Sequence, residues 1–194
     1  MYKMMKLIDT VRIPPTLLGE DVVLTVKNAL RIKLEGQIDK KLGSLVAICK
    51  INNIGEGHIL VGDGAVYYDV TFEAIMFVPE LQEIIEGEVV ETVGFGVFVG
   101  IGPLDGLLHV SQITDDFISY DAKNARLVTK NGGKSISEGD HVRARVVAVS
   151  INEREPKESK IGLTMRQTAL GKLQWLEEAR KEKQQHEAPS EKTA

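Results

Sequence analysis

The sequence holds a single cysteine, Cys49. No disulfide can close within the chain, and no zinc site can be built from cysteines. Cys49 lies in the apolar run LVAICKI and reads as a buried core thiol. No apolar run approaches the eighteen or so residues of a membrane span. The opening MYKMMKLIDTVRIPP places charge and proline where a secretory signal needs an unbroken apolar stretch. The expectation is a cytoplasmic protein that does not meet a membrane. Catalytic signatures are missing as well. His58, His109, His141 and His186 are scattered without metal-ligand spacing. The glycine-rich GEGHILVGDG lacks the lysine and serine or threonine of a phosphate-binding loop. Independent catalysis, a cofactor and a metal are therefore not expected.

Basic residues are missing over a long stretch. Between Leu81 and Ala122 there are eight acidic residues and no Lys or Arg; between Lys123 and Arg166 there are ten basic and five acidic residues. The net charge of -4 argues against unspecific nucleic-acid binding. The uneven distribution reads either as scattered surface charge or as a one-sided field with the basic residues on one face.

What is present suits two small domains in 194 residues. Over residues 1–80, MMKLIDTVRI has strand character and PPTLLGED leads into a helix near Asp21. DVVLTVKNALRIKLEG sets Val22, Val26, Ala29, Leu30 and Leu34 at helical spacing, with Gly36 as a C-terminal cap. Three strand-like runs follow: SLVAICKI, GHILVG and AVYYDVTFEAIMFVP. GEG (Gly55, Glu56, Gly57) and GDG (Gly62, Asp63, Gly64) separate them and predict two tight hairpins. Asp63 is expected to hydrogen-bond its own turn.

Pro79 marks a boundary. Residues 81–166 are short strand runs with turns between them, the pattern of a five-stranded OB-type barrel. The polar stretch 114–138 predicts an extra hairpin or excursion. Residues 167–183 predict an amphipathic helix with Ala169, Leu173, Leu176 and Ala179 on one side. Trp175 lies off that stripe, as a docking anchor or as packing for its own helix. Residues 184–194 read as a disordered tail. The fold class is α+β: a small mixed domain, a β-barrel and a short C-terminal helix.

The segment GFGVFVGIGPLDGLLHVSQ raises the functional question. Phe95 and Phe98, three residues apart, fall on opposite faces of a regular strand. Gly94, Gly96 and Gly100 permit a bulge that brings both rings to one side. Exposed on a barrel, such rings suit stacking on bases, and His109 supplies a third flat ring. The other reading is that one or both phenylalanines fill the barrel. In HVRARVVAV, Val142, Ala144 and Val146 alternate with Arg143 and Arg145, which points the arginines outward. Lys123, Arg126, Lys130 and Lys134 lie in the polar stretch, and Lys160 and Arg166 flank the last strand.

Taken together, GFGVFV, DGLLHVSQI, EGDHVRARVVAVS and SKIGLTM resemble the RNA-binding domain repeated in the largest protein of the bacterial small ribosomal subunit, the S-one type. The resemblance implies a five-stranded OB barrel that binds single-stranded RNA, with Phe95, Phe98 and His109 at its RNA-facing positions. Two positions depart from the usual pattern: Ser150 where aspartate is frequent, and Lys160 where arginine is frequent. Lys160 keeps the charge without the bidentate fork. Along an RNA track beside the rings, Lys123, Arg143, Arg145, Lys160 and Arg166 are expected to meet phosphates.

With GEGHILVGDGAVYYDVTFEAIMFVPELQEIIEGEV ahead of that barrel, the whole chain is similar to the E-prime family of archaeal RNA polymerase subunits, counterparts of the seventh subunit of eukaryotic RNA polymerase II. The resemblance implies a truncated RNP-like N-terminal domain whose tip docks on the polymerase core. It also implies a heterodimer with a small helical partner, the F subunit of RNA polymerase. The pair forms a stalk near the RNA exit path that assists promoter opening, influences the clamp and holds nascent RNA. By position, Gly55, Glu56, Gly57, Gly62, Asp63 and Gly64 are the core-facing candidates. Two rivals stand beside this reading. One is an S-one-type module of another RNA machine, such as an exosome cap or translation factor. The other is a structural subunit whose barrel has lost RNA binding.

Overall fold

The computed structural model describes residues 1–19, 21–130, 133–152 and 159–187. The chain forms two compact units, one over Met1–Pro79 and one built from Glu80–Ser150 and the segment from Ser159 onward.

The first unit runs β1 (Tyr2–Ile13), a 3-10 turn (Pro15–Leu17), α1 (Val22–Leu34), β2 (Ile38–Asp39), β3 (Gly43–Ile59) and β4 (Val66–Phe77). The strands form an antiparallel sheet in the order β1-β4-β3-β2. The Asp21 carboxylate caps α1 by accepting from the Val23 N–H at 2.9 Å, which satisfies a donor the helix leaves open. Gly36, at φ +83°, closes the other end in a conformation that suits glycine. Val26 and Leu30 of α1 are buried against Val11, Ile13, Ile48, Val70 and Phe72 of the sheet. Val22, at the first helical position, is exposed instead. Cys49 is also exposed, contrary to the expected core thiol. The bulges of β3 shift its alternation, so that Ile48 rather than Cys49 enters the core.

Two of the expected strand runs are one. SLVAICKI and GHILVG join in β3, whose pairing with β4 shifts register four times, the last between Ile54 and Gly57. GEG is thus inside a strand and not a hairpin turn. A β-carbon on Gly57 would lie 2.7 Å from Val66 Cγ1 and 2.9 Å from Tyr68 Cε1, so glycine serves there to make room for the neighbouring strand. The hairpin turn is the GDG segment, with Gly62 at φ +93°.

The second unit contains β5 (Ile84–Val93), β6 (Gly96–Gly100), β7 (Asp105–His109), a 3-10 turn (Val110–Gln112), β8 (Ile118–Asp121), β9 (Arg126–Thr129), β10 (Ser135–Ser137), β11 (His141–Ser150), β12 (Lys160–Thr164), β13 (Gly171–Lys172) and α2 (Leu173–Glu187). Five strands close a barrel in the order β12-β7-β6-β5-β11, with β11 pairing back to β12. β7 and β12 run parallel, and the other neighbours are antiparallel. Val89, Val97, Val99, Leu108, Val142, Ala144, Val146, Ile161 and Leu163 fill it. Alternation on each strand sends their sequence neighbours outward. The polar stretch forms a three-stranded sheet, β10-β9-β8.

The C-terminal helix starts at Leu173 rather than at residue 167. Ala169 (φ +66°) and Gly171 (φ +144°) leave helical geometry, and Gly171 and Lys172 pair with Arg143 and Val142 as β13. Ala169 therefore lies outside the helix it was expected to line. The helix continues through Glu187, into residues expected to be tail; residues 188–194 lie outside those described.

Candidate nucleic-acid interface and docking tip

β6 sends Val97 and Val99 into the barrel, and Phe98 to the outer face opposite Leu107 and Glu91. Phe95 sits in the two-residue turn between β5 and β6 and is 51 % exposed. The two rings meet edge to face, with centroids 6.4 Å apart and planes at 85°, an arrangement aromatic pairs favour. They share one side of the barrel, but not through a bulge in β6, whose register with β7 is regular from Gly96 to Gly100. The bulge is in the facing strand β5, between Val89 and Glu91, and the turn carries Phe95 round to Phe98. Gly96 is there for closeness. A β-carbon on it would lie 2.4 Å from the Leu108 carbonyl oxygen.

His109 pairs with Gly96 at the end of β7 and is exposed. The Ser111 backbone N–H donates to its Nδ1 at 3.2 Å, and the Ser111 hydroxyl lies 2.9 Å from the same nitrogen. A backbone N–H can only donate, so Nδ1 is the acceptor and the proton sits on Nε2. His109 thus presents an Nε2–H donor beside the two phenylalanine rings. Arg166 reaches the same turn, donating to the Ser111 carbonyl at 3.5 Å while it pairs with Asp115. Phe95, Phe98, His109 and Arg166 are therefore brought together. Ser111 stands in the motif DGLLHVSQI without a role legible there, because its role is visible only through the ring it orients.

The other basic candidates are spread. Lys160 opens β12, exposed and opposite Ser150. Lys123 is exposed in the β8–β9 turn, its backbone N–H donating to Asp121 at 3.2 Å. Arg143 and Arg145 do point outward, but from β11, which β5 separates from β6. Arg143 pairs with Glu86 at 2.6 Å, and Arg145 Nη1 donates to Gln82 at 3.5 Å. The acidic and basic stretches turn out to be complementary: Glu86, Asp115 and Asp121 pair with Arg143, Arg166 and Arg126. This pairing favours the reading of scattered surface charge over that of a one-sided basic field. The Asp121 carboxyl is held below its ordinary range by hydrogen bonds from Asn124 and Arg126.

In the first unit, the tip of the β3–β4 hairpin exposes Ile59, Leu60 and Val61. Three consecutive apolar side chains are thus open to solvent at one loop tip. Asp63 anchors the turn. It accepts from Arg12 Nε and Nη2 at 2.8 Å each, from the Tyr67 hydroxyl at 2.8 Å and from the Ala65 N–H at 3.1 Å. Its carboxyl is held far below the usual carboxylate range, first by Arg12 and then by Tyr67 and Ala65, and Arg12 is raised in return. Gly62 and Asp63 are in the tip turn, with Gly64 following, whereas Gly55, Glu56 and Gly57 lie back in β3. The apolar triplet was legible as a run placed directly before GDG, although it read there as a strand.

Trp175 faces the three-stranded sheet, where the Lys134 ammonium lies 5.4 Å from its ring centroid, a cation–π contact. Among the described residues, no group of three or more His, Cys, Asp or Glu is placed to hold a metal ion, and no helix is long and apolar enough to cross a membrane.

Two family descriptions match the two units. "SHS2 domain found in N terminus of Rpb7p/Rpc25p/MJ0397" matches residues 8–64, and "S1 RNA binding domain" matches residues 78–160. Among curated proteins, DNA-directed RNA polymerase subunit Rpo7 of Saccharolobus shibatae is 44 % identical over 93 % of this chain and 100 % of its own length. The chain belongs to the Rpo7 family. The Rpo7 of Saccharolobus solfataricus is 43 % identical over the same shares of the two chains, and that of Sulfolobus acidocaldarius 38 % over 91 % and 95 %. Rpo7 proteins are thus matched along both units, not over the barrel alone, which sets aside an S1 module from another machine.

Proposed function

We propose that the chain is a non-catalytic stalk subunit of DNA-directed RNA polymerase whose barrel holds single-stranded nascent RNA. Its first unit docks on the polymerase core through the β3–β4 tip. The reading rests above all on the Phe95–Phe98 pair: two large rings kept on the outside of a barrel whose interior is already filled by valine, leucine and isoleucine. Phe95 is exposed and Phe98 half-buried, and flat rings open on one side accept any base by stacking, which suits a transcript of changing sequence. His109 adds a donor, and Arg166 and Lys160 add charge for phosphates, so binding is salt-dependent and weakly sequence-dependent. Arg143 and Arg145 are outlying contributors, since β5 separates their strand from β6; Lys123 contributes from the β8–β9 turn. At the tip, Ile59, Leu60 and Val61 meet the core, with Gly62, Asp63 and Gly64 shaping the turn behind them. Pairing with the polymerase's small helical F subunit, and help in promoter opening and elongation, belong to the same reading, which membership of the Rpo7 family supports.

The test is binding of the purified chain to a single-stranded oligouridylate, with and without Phe95→Ala plus Phe98→Ala. At about 1–3 kcal/mol per stacked base, the double variant should weaken binding at least tenfold while its melting is unchanged. Equal binding by a folded double variant would favour the structural-subunit reading.

A further inference from the structure

The stacking surface does not end at the barrel. Gly94 precedes Phe95 in the β5–β6 turn, and a β-carbon on Gly94 would lie 3.9 Å from Tyr120 Cδ1. Tyr120 belongs to β8 in the three-stranded sheet and is paired there with Leu127. Leu127 is buried, while Tyr120 stays 40 % exposed. Its ring edge thus passes beside Gly94, and the residue remains open to solvent. Phe98 meets Phe95 edge to face, and Tyr120 lies beside Gly94, the residue before Phe95.

We infer that Tyr120 is a further RNA-stacking residue. It would extend the platform from the barrel onto the inserted sheet, for one more base of a single strand. The inference rests on the RNA reading above. Three observations support it. A side chain at 94 would come into contact with the ring edge, and glycine leaves that edge clear. Tyr120 stays exposed although its partner across the ladder, Leu127, is buried. Its neighbour Lys123 in the β8–β9 turn is exposed and positively charged, which suits a passing phosphate backbone.

The insertion has a second exposed aromatic, Phe117. Strand alternation sets it on the face opposite Ile118 and Tyr120, so it serves as a control. The experiment uses the full chain and a series of oligouridylates of increasing length. Wild type is compared with Phe98→Ala, Tyr120→Ala, Tyr120→Phe, Tyr120→Leu and Phe117→Ala. For long oligomers, Tyr120→Ala should weaken binding about tenfold, as for loss of one stacked base, and Tyr120→Phe should restore it. Phe117→Ala should bind as wild type. The length at which affinity stops rising should shorten in Tyr120→Ala. Tyr120→Leu keeps apolar packing without the flat ring, so it should show the same loss even if the alanine variant folds poorly. Wild-type binding by Tyr120→Ala and Tyr120→Leu, with a loss in Phe98→Ala, would overturn the inference and leave the RNA reading standing. Wild-type binding by all of them would overturn both.

Discussion

Arg12 and Asp63, 51 residues apart, are locked by two hydrogen bonds of 2.8 Å, from Nε and Nη2 to the two carboxylate oxygens. This bidentate geometry is the strong form of the pair. It ties the end of β1 to the hairpin tip that carries Ile59, Leu60 and Val61. Replacing Arg12 by alanine should loosen the turn without unfolding the sheet. Amide hydrogen exchange should rise over residues 60–65 and stay unchanged along the barrel. Association with the polymerase core should weaken, while RNA affinity of the isolated chain should not change.

The same pair sets a pH dependence. The folded Asp63 carboxyl is lowered relative to the unfolded chain, so its contribution is complete above the ordinary aspartate range near pH 4. It is lost only as pH falls through the lowered folded value. The tip turn should keep its hydrogen-exchange protection from neutral pH to below pH 4. In Arg12→Ala, where the largest cause of the lowering is gone, protection should be lost at higher pH. An NMR titration of the Asp63 side chain in the two proteins checks this.

Gly96→Ala should destabilise the barrel by about 1–3 kcal/mol, as overpacking does. A β-carbon would meet the Leu108 carbonyl oxygen at 2.4 Å and His109 Cα at 3.0 Å. Gly94→Ala is the control, because its nearest contact is an ordinary 3.9 Å. Denaturant unfolding of the two variants should separate them clearly.

Much of this arrangement was legible in the sequence, and the failures have physical causes. Alternation in HVRARVVAV placed Val142, Ala144 and Val146 inside and the arginines outside. Spacing in DVVLTVKNALRIKLEG found α1, its buried Val26 and Leu30, and Gly36 at its end. Period-2 reasoning failed at β3, where bulges shift the faces and leave Cys49 exposed. Glycine chemistry failed at GEG, because a glycine that makes room for Tyr68 looks in sequence like one that makes a turn. The aromatic pair was found, but its cause lay in the turn and in the bulge of the facing strand. Partnerships over long separations, such as Arg12 with Asp63 or Glu86 with Arg143, leave no local signal.

Lys172 and Asp140 form a largely buried ion pair at 2.8 Å, their side chains only 10 % and 14 % exposed. Lys172 also donates to the Ser135 carbonyl at 3.4 Å, and Asp140 accepts from Ser137. Removing one partner strands the other charge. Lys172→Met should cost about 3 kcal/mol, and adding Asp140→Asn should recover part of it. Thermal or denaturant unfolding of the single and double variants reads the difference.

Charge changes should sort by position. Arg166→Ala or Lys160→Ala should lower the slope of log affinity against log salt by about 1 each if they neutralise one phosphate. Arg143→Ala should lower the slope less than either, since Arg143 lies on a strand not adjacent to β6. Salt titrations of oligouridylate binding decide this.

The most direct test places a photoreactive phenylalanine analogue at position 98 in polymerase reconstituted with this chain and irradiates complexes stalled with a labelled transcript. The account predicts crosslinks to nascent RNA once the transcript has left the enzyme, and far fewer from the same probe at position 143. Complexes that contain the chain and extend RNA normally, yet give no crosslink at 98, would contradict it.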